Sequence, residues 1–100
     1  PNDAPAAPRE ASFAVYPNPF NPKTTVSFAL PRADVHATVE IFDVRGRRVR
    51  TLHDGVAETA DLVLTWNGTD DRGARGGSGV YMVRATTEGF RRSLKVALVE

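Results

Sequence analysis

Hydrophobic and polar residues alternate with a period of two along most of the chain. In the segment TVSFAL, for example, Val26, Phe28 and Leu30 alternate with small or polar residues. Because successive side chains of a strand point to opposite faces, this alternation predicts strands with one buried face. No window shows the spacing typical of an amphipathic helix. The clearest alternating segments are residues 24–30, 35–42, 61–66 and 91–99.

Turn-forming segments rich in Gly, Asp and Pro separate these alternating segments, and Gly46 and Gly89 are expected to be left-handed in their turns. Short strands with frequent turns and no helix predict an all-β fold. Seven strands in residues 13–100 favour a seven-stranded antiparallel immunoglobulin-like β-sandwich, with Trp66 anchoring its core. The predicted strands lie near residues 13–16, 24–30, 35–42, 47–53, 61–66, 79–87 and 91–99.

The composition is that of an ordinary globular domain, with 41% hydrophobic and 25% charged residues in a chain of 100 residues. The formal net charge of +1 favours neither nucleic acid nor an acidic membrane surface as a partner. No apolar run approaches the roughly 20 residues of a transmembrane helix. The absence of cysteine excludes disulfides, thiolate nucleophiles and cysteine-based metal sites.

The first twelve residues, PNDAPAAPREAS, differ in composition from the rest of the chain. They are rich in proline and alanine and have no apolar periodicity, so residues 1–12 are predicted to be a linker. Residues 13–100 are predicted to form the sandwich. Because the chain begins at Pro1 without a signal-like segment, we expect it to be part of a longer protein with another domain upstream.

The segment VYPNPFNPKTTVSF places three prolines within six residues, directly before the first long strand. Proline fixes φ and lacks an N–H, so a central strand cannot run through residues 17–22. Residues that precede proline favour extended backbone, which predicts a stiff, mostly extended connector here. Tyr16 and Phe20 are expected to pack back onto the sandwich.

The sequence contains no convincing catalytic constellation. GGSGV around Ser78 has Val80 in place of the last glycine of a nucleophile elbow, and no helix is predicted to follow it. His36 falls on a polar strand face and His53 at the end of a predicted strand, and neither has a sequence partner that suggests a triad. We therefore expect no enzymatic activity and no cofactor.

The segment NGTDDRG is a weak candidate for a calcium site. Its oxygen ligands resemble the start of a calcium loop, and Asp70 and Asp71 are its carboxylates. However, Arg72 stands where that loop requires glycine, and Ser78 replaces its closing glutamate. The simpler interpretation is a polar hairpin tip with Gly73 at the turn.

The segment RGRRVR, residues 45–50, contains four arginines. A basic patch of this length can bind nucleic acid, but aromatic residues are not interleaved with it and the overall charge is balanced. The segment also spans a predicted turn and strand, where charge discourages aggregation between sheet edges. We therefore expect a solvated hairpin edge and no nucleic-acid partner.

Three segments resemble a known family: YPNPFNPKTTVSFALP, VEIFDVRGRRVRTL and TWNGTDDRGARGGSGVYMVRATTEGFRRSLKVALV. Together they are similar to the C-terminal sorting domains of the type IX secretion system (type A). They are equally similar to the immunoglobulin-like domain of flagellar hook-capping proteins. The resemblance extends over nearly all residues from Phe13 to Val99, and YPNPFNP and GVY…G…K are its most specific parts.

The resemblance to sorting domains implies a seven-stranded sandwich that directs an upstream cargo domain from the periplasm across the outer membrane. The implied partners are the type IX secretion machinery and a sortase-like peptidase, and the implied location is the cell surface or the medium. The motif residues that carry over by position are Tyr16, Pro17, Asn18, Pro19, Phe20, Gly46, Val49, Gly79, Tyr81, Gly89 and Lys95.

Two other functions remain open from the sequence. A hook-capping relative implies a structural module in an assembly scaffold, and an accessory module of a secreted enzyme would bind carbohydrate or a partner protein. The motif residues also have structural explanations, because the turns at Gly46, Gly79 and Gly89 favour a permissive backbone. Tyr81 is equally typical of a core or corner tyrosine, and Lys95 of an outward charge.

Overall fold

The computed structural model describes residues 10–100, which form seven antiparallel strands in two sheets. The predicted all-β sandwich is therefore confirmed. No helix within this range is long and apolar enough to cross a membrane. The strands are β1 (Ser12–Tyr16), β2 (Thr24–Ala29), β3 (Val35–Phe42), β4 (Arg48–Ala57), β5 (Asp61–Trp66), β6 (Gly79–Thr87) and β7 (Phe90–Leu98).

One sheet has the strand order β1-β2-β5 and the other has the order β4-β3-β6-β7. The edge strand β1 lies against β7 across the sandwich, and β5 lies against β4. Residues 1–9 are outside the described range, so the predicted linker at residues 1–12 falls mostly outside it.

The core follows the alternation of the sequence. Val26, Phe28 and Leu30 are fully buried, as are the predicted inward residues of β3 from Ala37 to Ile41. Leu62 and Leu64 are half-buried because β5 is an edge strand, whereas Trp66 at its end is fully enclosed. The predicted faces are therefore confirmed, and exposure within a face depends on the position of the strand in its sheet.

The strand β4 is longer than predicted. Asp54 and Gly55 form a typical turn pair, yet the ladder continues through them, with Ala57 opposite Val35. Two register irregularities between β3 and β4 accommodate this length. His53 therefore lies inside β4 and not at a strand end, and its Nδ1 is 3.0 Å from the carbonyl oxygen of Ala37.

The two turn glycines adopt the predicted left-handed conformation, with φ of 83° at Gly46 and 70° at Gly89. In the first turn, the Asp43 carboxylate accepts hydrogen bonds from the backbone N–H groups of Arg45 and Arg47, at 2.9 and 3.0 Å. The pKa of Asp43 is lowered chiefly by the backbone hydrogen bond from Arg47. The aspartate therefore fixes the turn that connects β3 to β4.

Candidate functional site

The proline-rich segment bends onto the last strand and does not form the extended connector that the sequence predicted. Residues 17–19 and 21–22 are bends, and the three X–Pro peptide bonds are cis. The backbone of Phe20 pairs in parallel with Leu98. Proline restricts local geometry, but this contact with a strand almost eighty residues away decides the course of the segment.

Four hydrogen bonds join this segment to the outer edge of β7. The N–H of Phe20 donates to the carbonyl of Ala97 at 2.9 Å, and the N–H of Val99 donates to the carbonyl of Phe20 at 3.0 Å. The Asn18 side chain donates from Nδ2 to the carbonyl of Lys95 at 2.8 Å and accepts from the N–H of Ala97 at 3.0 Å. The Asn18 side-chain amide thus both donates and accepts a hydrogen bond, as a backbone peptide group does in a sheet. The segment around Asn18 and Phe20 therefore adds a short fifth element to the four-stranded sheet.

Phe20 is 2% exposed and inserts into an aromatic cluster at this end of the sandwich. Its ring centroid is 5.4 Å from that of Trp66, which in turn is 5.1 Å from Tyr81 in an edge-on arrangement. The Trp66 indole N–H donates to the carbonyl of Thr69 at 2.8 Å, so the buried indole is satisfied. The expected packing of Phe20 is confirmed.

The corresponding expectation for Tyr16 is wrong, because its side chain is 52% exposed. In β1, Phe13 is buried and Val15 is half-buried, whereas Ala14 and Tyr16 are on the opposite face. Tyr16 therefore follows the alternation of its strand and points away from the core. Its exposure leaves it available for contact with another molecule.

Tyr81 has the geometry of a corner tyrosine. Its side chain is mostly buried, and its hydroxyl donates to the carbonyl of Gly77 at 2.7 Å. Burial raises the pKa of Tyr81, with smaller contributions from Glu100 and Asp43. The tyrosine therefore fixes the loop between β5 and β6 onto the start of β6.

We expect replacement of Gly76 with alanine to destabilise this loop. A Cβ at Gly76 would lie 2.7 Å from the Tyr81 hydroxyl oxygen and 3.1 Å from the Gly68 carbonyl oxygen. Overpacking of this kind typically costs about 1–3 kcal/mol of unfolding free energy. Urea denaturation of G76A measures the effect. G77A is the control, because a Cβ at Gly77 meets nothing within 4 Å. Equal stability of the two variants would contradict the close approach.

The remaining motif residues divide between the two ends of the sandwich. Gly46 lies in the β3–β4 turn, Val49 packs against the core in β4, and Gly79 begins β6, all at one end of the sandwich. Lys95 contributes its carbonyl to Asn18, while its side chain is exposed on the outer face of β7. Gly89, in the β6–β7 turn, is at the opposite end.

Sequence reasoning missed two supporting residues. Thr24 is 1% exposed, and its hydroxyl donates to the carbonyl of Pro17 at 2.8 Å, which holds the proline segment against β2. Gly68 has φ of 81°, and a Cβ there would be 3.1 Å from the Leu98 side chain. The Asn-Gly pair at residues 67–68 signals the turn, but only the tertiary contact shows why glycine is needed for packing.

Asp70 and Asp71 point their carboxylates at backbone amides. Asp70 accepts from the N–H groups of Arg72 and Ala74, both at 2.9 Å, and Asp71 accepts from the N–H of Thr51 at 2.9 Å. Within residues 10–100, no three His, Cys, Asp or Glu side chains converge in a way that could hold a metal ion. The two aspartates therefore shape the hairpin tip and attach it to β4.

We accordingly expect calcium to leave the thermal stability unchanged. A ligand that binds the native state and not the unfolded state raises the melting temperature, and the rise grows with the logarithm of the ligand concentration above its Kd. For the wild-type protein, the melting curve in millimolar calcium should coincide with the curve in chelator. The same should hold for D70N, compared with itself in the two conditions. A calcium-dependent rise that D70N removes would establish a site that the geometry does not indicate.

The arginine-rich segment and Ser78 both have structural contacts. Arg47 pairs with Asp43 at 3.2 Å, Arg48 lies 3.6 Å from Glu40, and Arg50 donates to the Thr69 hydroxyl. Ser78 precedes a strand and not a helix, and its hydroxyl accepts from the N–H of Glu100 at 3.0 Å. Arg47 and Arg48 thus bind the β3–β4 turn and β3, whereas Arg50 connects β4, and Ser78 connects Glu100, to the loop between β5 and β6.

Two packed antiparallel sheets of three and four strands, with a buried tryptophan between them, define an immunoglobulin-like β-sandwich domain. Residues 17–89 match the family model of the FlgD Ig-like domain, and the chain belongs to that family. No curated protein matches the sequence.

Two solved structures from Porphyromonas gingivalis contain a similar domain. Dimeric latent PorU is 25% identical over 89% of this chain, with a TM-score of 0.73. PorZ, described as an essential surface component of the type-IX secretion system, is 24% identical over 88% of this chain, with a TM-score of 0.58, and this likeness shows the fold alone. The chain spans 9% of the PorU chain and 11% of the PorZ chain, so each comparison concerns one domain of a much larger protein.

Proposed function

We propose that this domain is a non-catalytic sorting module that directs an upstream cargo domain across the outer membrane by the type IX secretion system. The cargo would reach the cell surface or the medium through the periplasm. The proposed partners are the secretion machinery and a sortase-like peptidase. The sandwich is residues 13–100, preceded by the linker.

The observation that carries the proposal is the direct contact between the first motif and the last strand. Asn18 and Phe20 bind the edge of β7 between Lys95 and Val99. A receptor that recognises a folded domain needs a continuous surface, and segments from the two ends of the sequence form one here. Tyr16 directly precedes the first of these segments, Lys95 lies in the second, and both side chains are exposed.

The resemblance of the sequence motifs to sorting domains of the type IX system supports the proposal. The same fold occurs in PorU and in PorZ, and the PorZ description names that system. A second function, a structural module in a flagellar hook scaffold, is favoured by the family match to the FlgD Ig-like domain. The same fold serves both functions, so the decision depends on what the domain does to an attached protein.

The proposal is tested with a reporter that carries a general signal peptide for entry into the periplasm. In a host with an active type IX system, the reporter fused to residues 10–100 is expected at the surface or in the medium. The reporter alone is expected to stay in the periplasm. Periplasmic retention of both proteins, with the domain folded and intact in the fusion, would contradict the sorting function.

A pair of surface variants tests whether the junction is the recognised face. Lys95→Ala removes an exposed side chain beside Asn18, and Arg32→Ala removes one at the opposite end of the sandwich. Surface substitutions of this kind usually change stability by less than about 0.5 kcal/mol. We expect K95A to reduce export of the fusion and R32A to leave it unchanged. The reverse order would place recognition elsewhere.

A further inference from the structure

The strand β7 has one edge paired with β6 and another edge that the described residues, 10–100, cover only in part. Along a strand, the N–H and C=O of alternate residues point to the same side. Ala97 and Val99 use theirs to bind the proline-rich segment, on the side away from β6. By the same alternation, the backbone groups of Arg91, Ser93 and Lys95 point to this outer edge.

Most of these outer groups have no hydrogen-bond partner in residues 10–100. The Lys95 carbonyl is bound by Asn18, but the Lys95 N–H and both backbone groups of Arg91 and Ser93 are unpaired. Arg91, Ser93 and Lys95 are all exposed. We name residues 91–95 the open β7 edge.

The edge at the other side of the same sheet is protected. The strand β4 contains two register irregularities, and Asp71 bonds to it through the Val49 carbonyl and the Thr51 N–H, at 3.1 and 2.9 Å. Bulges, covering loops and charged side chains all discourage pairing at an edge. Within the described residues, the open β7 edge has a regular backbone and no covering loop, and its only protection of this kind is the charge of its side chains.

The charge on the open β7 edge is positive, and no side chain in residues 10–100 neutralises it. Arg91, Arg92 and Lys95 are exposed, and none forms an ion pair with residues 10–100. The side chains of Arg91 and Lys95 are on the outer face, because they lie opposite Thr86 and Met82 of β6. Leu94, between them, is half-buried towards the core.

A second copy of the chain fits this edge poorly. Antiparallel pairing of two β7 strands centred on Ser93 would place Arg91 of each copy directly opposite Lys95 of the other. Like charges at opposed positions destabilise a sheet. An added strand with carboxylates opposite Arg91 and Lys95 would instead form favourable pairs of opposite charge.

We propose that the open β7 edge binds an extended acidic segment of a protein partner, which adds to the sheet as a new strand next to β7. Backbone hydrogen bonds to Arg91, Ser93 and Lys95 supply affinity, and alternate side chains supply specificity. The partner segment would carry acidic side chains on its outward face, opposite Arg91 and Lys95. It would carry apolar side chains on its inward face, next to Leu94. The inference does not depend on the sorting function, since it concerns binding by the isolated domain.

The probe is a fluorescent peptide with the core Glu-Val-Thr-Val-Glu, compared with the core Lys-Val-Thr-Val-Lys. We expect the acidic peptide to bind at least about tenfold more tightly than the basic one, and more weakly at high salt. Amide chemical shifts should change at Arg91, Ser93 and Lys95. Equal binding of the two peptides, no binding at millimolar concentration, or shifts confined to another surface would overturn the proposal.

Ser93→Pro tests the backbone directly, because it removes the outward N–H without removing a bond to β6. Proline is tolerated at an edge where the N–H faces solvent. We expect S93P to weaken peptide binding about tenfold or more, and S93A to bind as wild type. The double variant R91E/K95E should reverse the preference between the peptides. Wild-type binding by S93P, or an unchanged preference in R91E/K95E, would contradict strand addition at this edge. Self-association of the wild-type domain that S93P abolishes would identify a second copy as the occupant and overturn the proposal.

Discussion

Replacing Phe20 with alanine is expected to lower the free energy of unfolding by about 3–5 kcal/mol, the usual cost of removing a buried phenylalanine. The side chain is 2% exposed and packs on Trp66 with a centroid separation of 5.4 Å. Its loss leaves a cavity between the proline-rich segment and the aromatic cluster. Urea denaturation monitored by Trp66 fluorescence measures the change, because Trp66 is the one tryptophan in the sequence.

The matched control is Tyr16→Ala, four residues earlier in the same motif. Tyr16 is 52% exposed, so its removal should change stability by no more than about 0.5 kcal/mol. The two aromatic residues are therefore expected to differ, although both are parts of one sequence motif. Similar effects of F20A and Y16A would show that Phe20 is not an anchor of the core.

Deleting residues 94–100 is expected to abolish cooperative folding. The deletion removes Val96 and Leu98, each 1% exposed, and the edge that binds Asn18 and Phe20. The core then loses aliphatic side chains and the partner of its first motif together, and single losses of this kind already cost about 2–5 kcal/mol. Thermal melts followed by near-ultraviolet circular dichroism should show no transition.

The control for this deletion is a chain that ends at Leu98. It loses the Val99 N–H bond to Phe20 and the Glu100 contacts with Ser78 and Arg75, but it keeps the core. We expect it to melt cooperatively at a somewhat lower temperature. A cooperative transition in the chain that lacks residues 94–100 would mean that β7 is dispensable for the fold.

These two results affect how secretion experiments are interpreted. A fusion without residues 94–100 would fail to be exported whether β7 is a signal or only a structural strand. Lys95→Ala avoids the ambiguity, because the Lys95 side chain is exposed and only its backbone carbonyl bonds to Asn18.

The sequence was sufficient for the strands and their buried faces, because a period of two is a local property of the chain. Gly46 and Gly89 were predicted to be left-handed from their turn sequences alone, and both are. The length of β4 was not predicted, because pairing with β3 keeps Asp54 and Gly55 in the strand despite their preference for turns.

The candidate site was less accessible from the sequence. The motifs named the residues, but the contact of Asn18 and Phe20 with β7 joins positions almost eighty residues apart, and no local pattern encodes it. The same holds for the approach of Gly76 to Tyr81. Tyr16 and Phe20 looked equivalent as aromatic residues beside prolines. The alternation of β1 exposes Tyr16, whereas the contact with β7 and Trp66 buries Phe20.

The most direct test of the central claim measures the fraction of the reporter fusion outside the cell in two isogenic strains. One strain has an intact type IX system, and the other lacks its outer-membrane translocon. The sorting function predicts that the fusion to residues 10–100 is mostly extracellular in the first strain and periplasmic in the second. An equal distribution in both strains would contradict it.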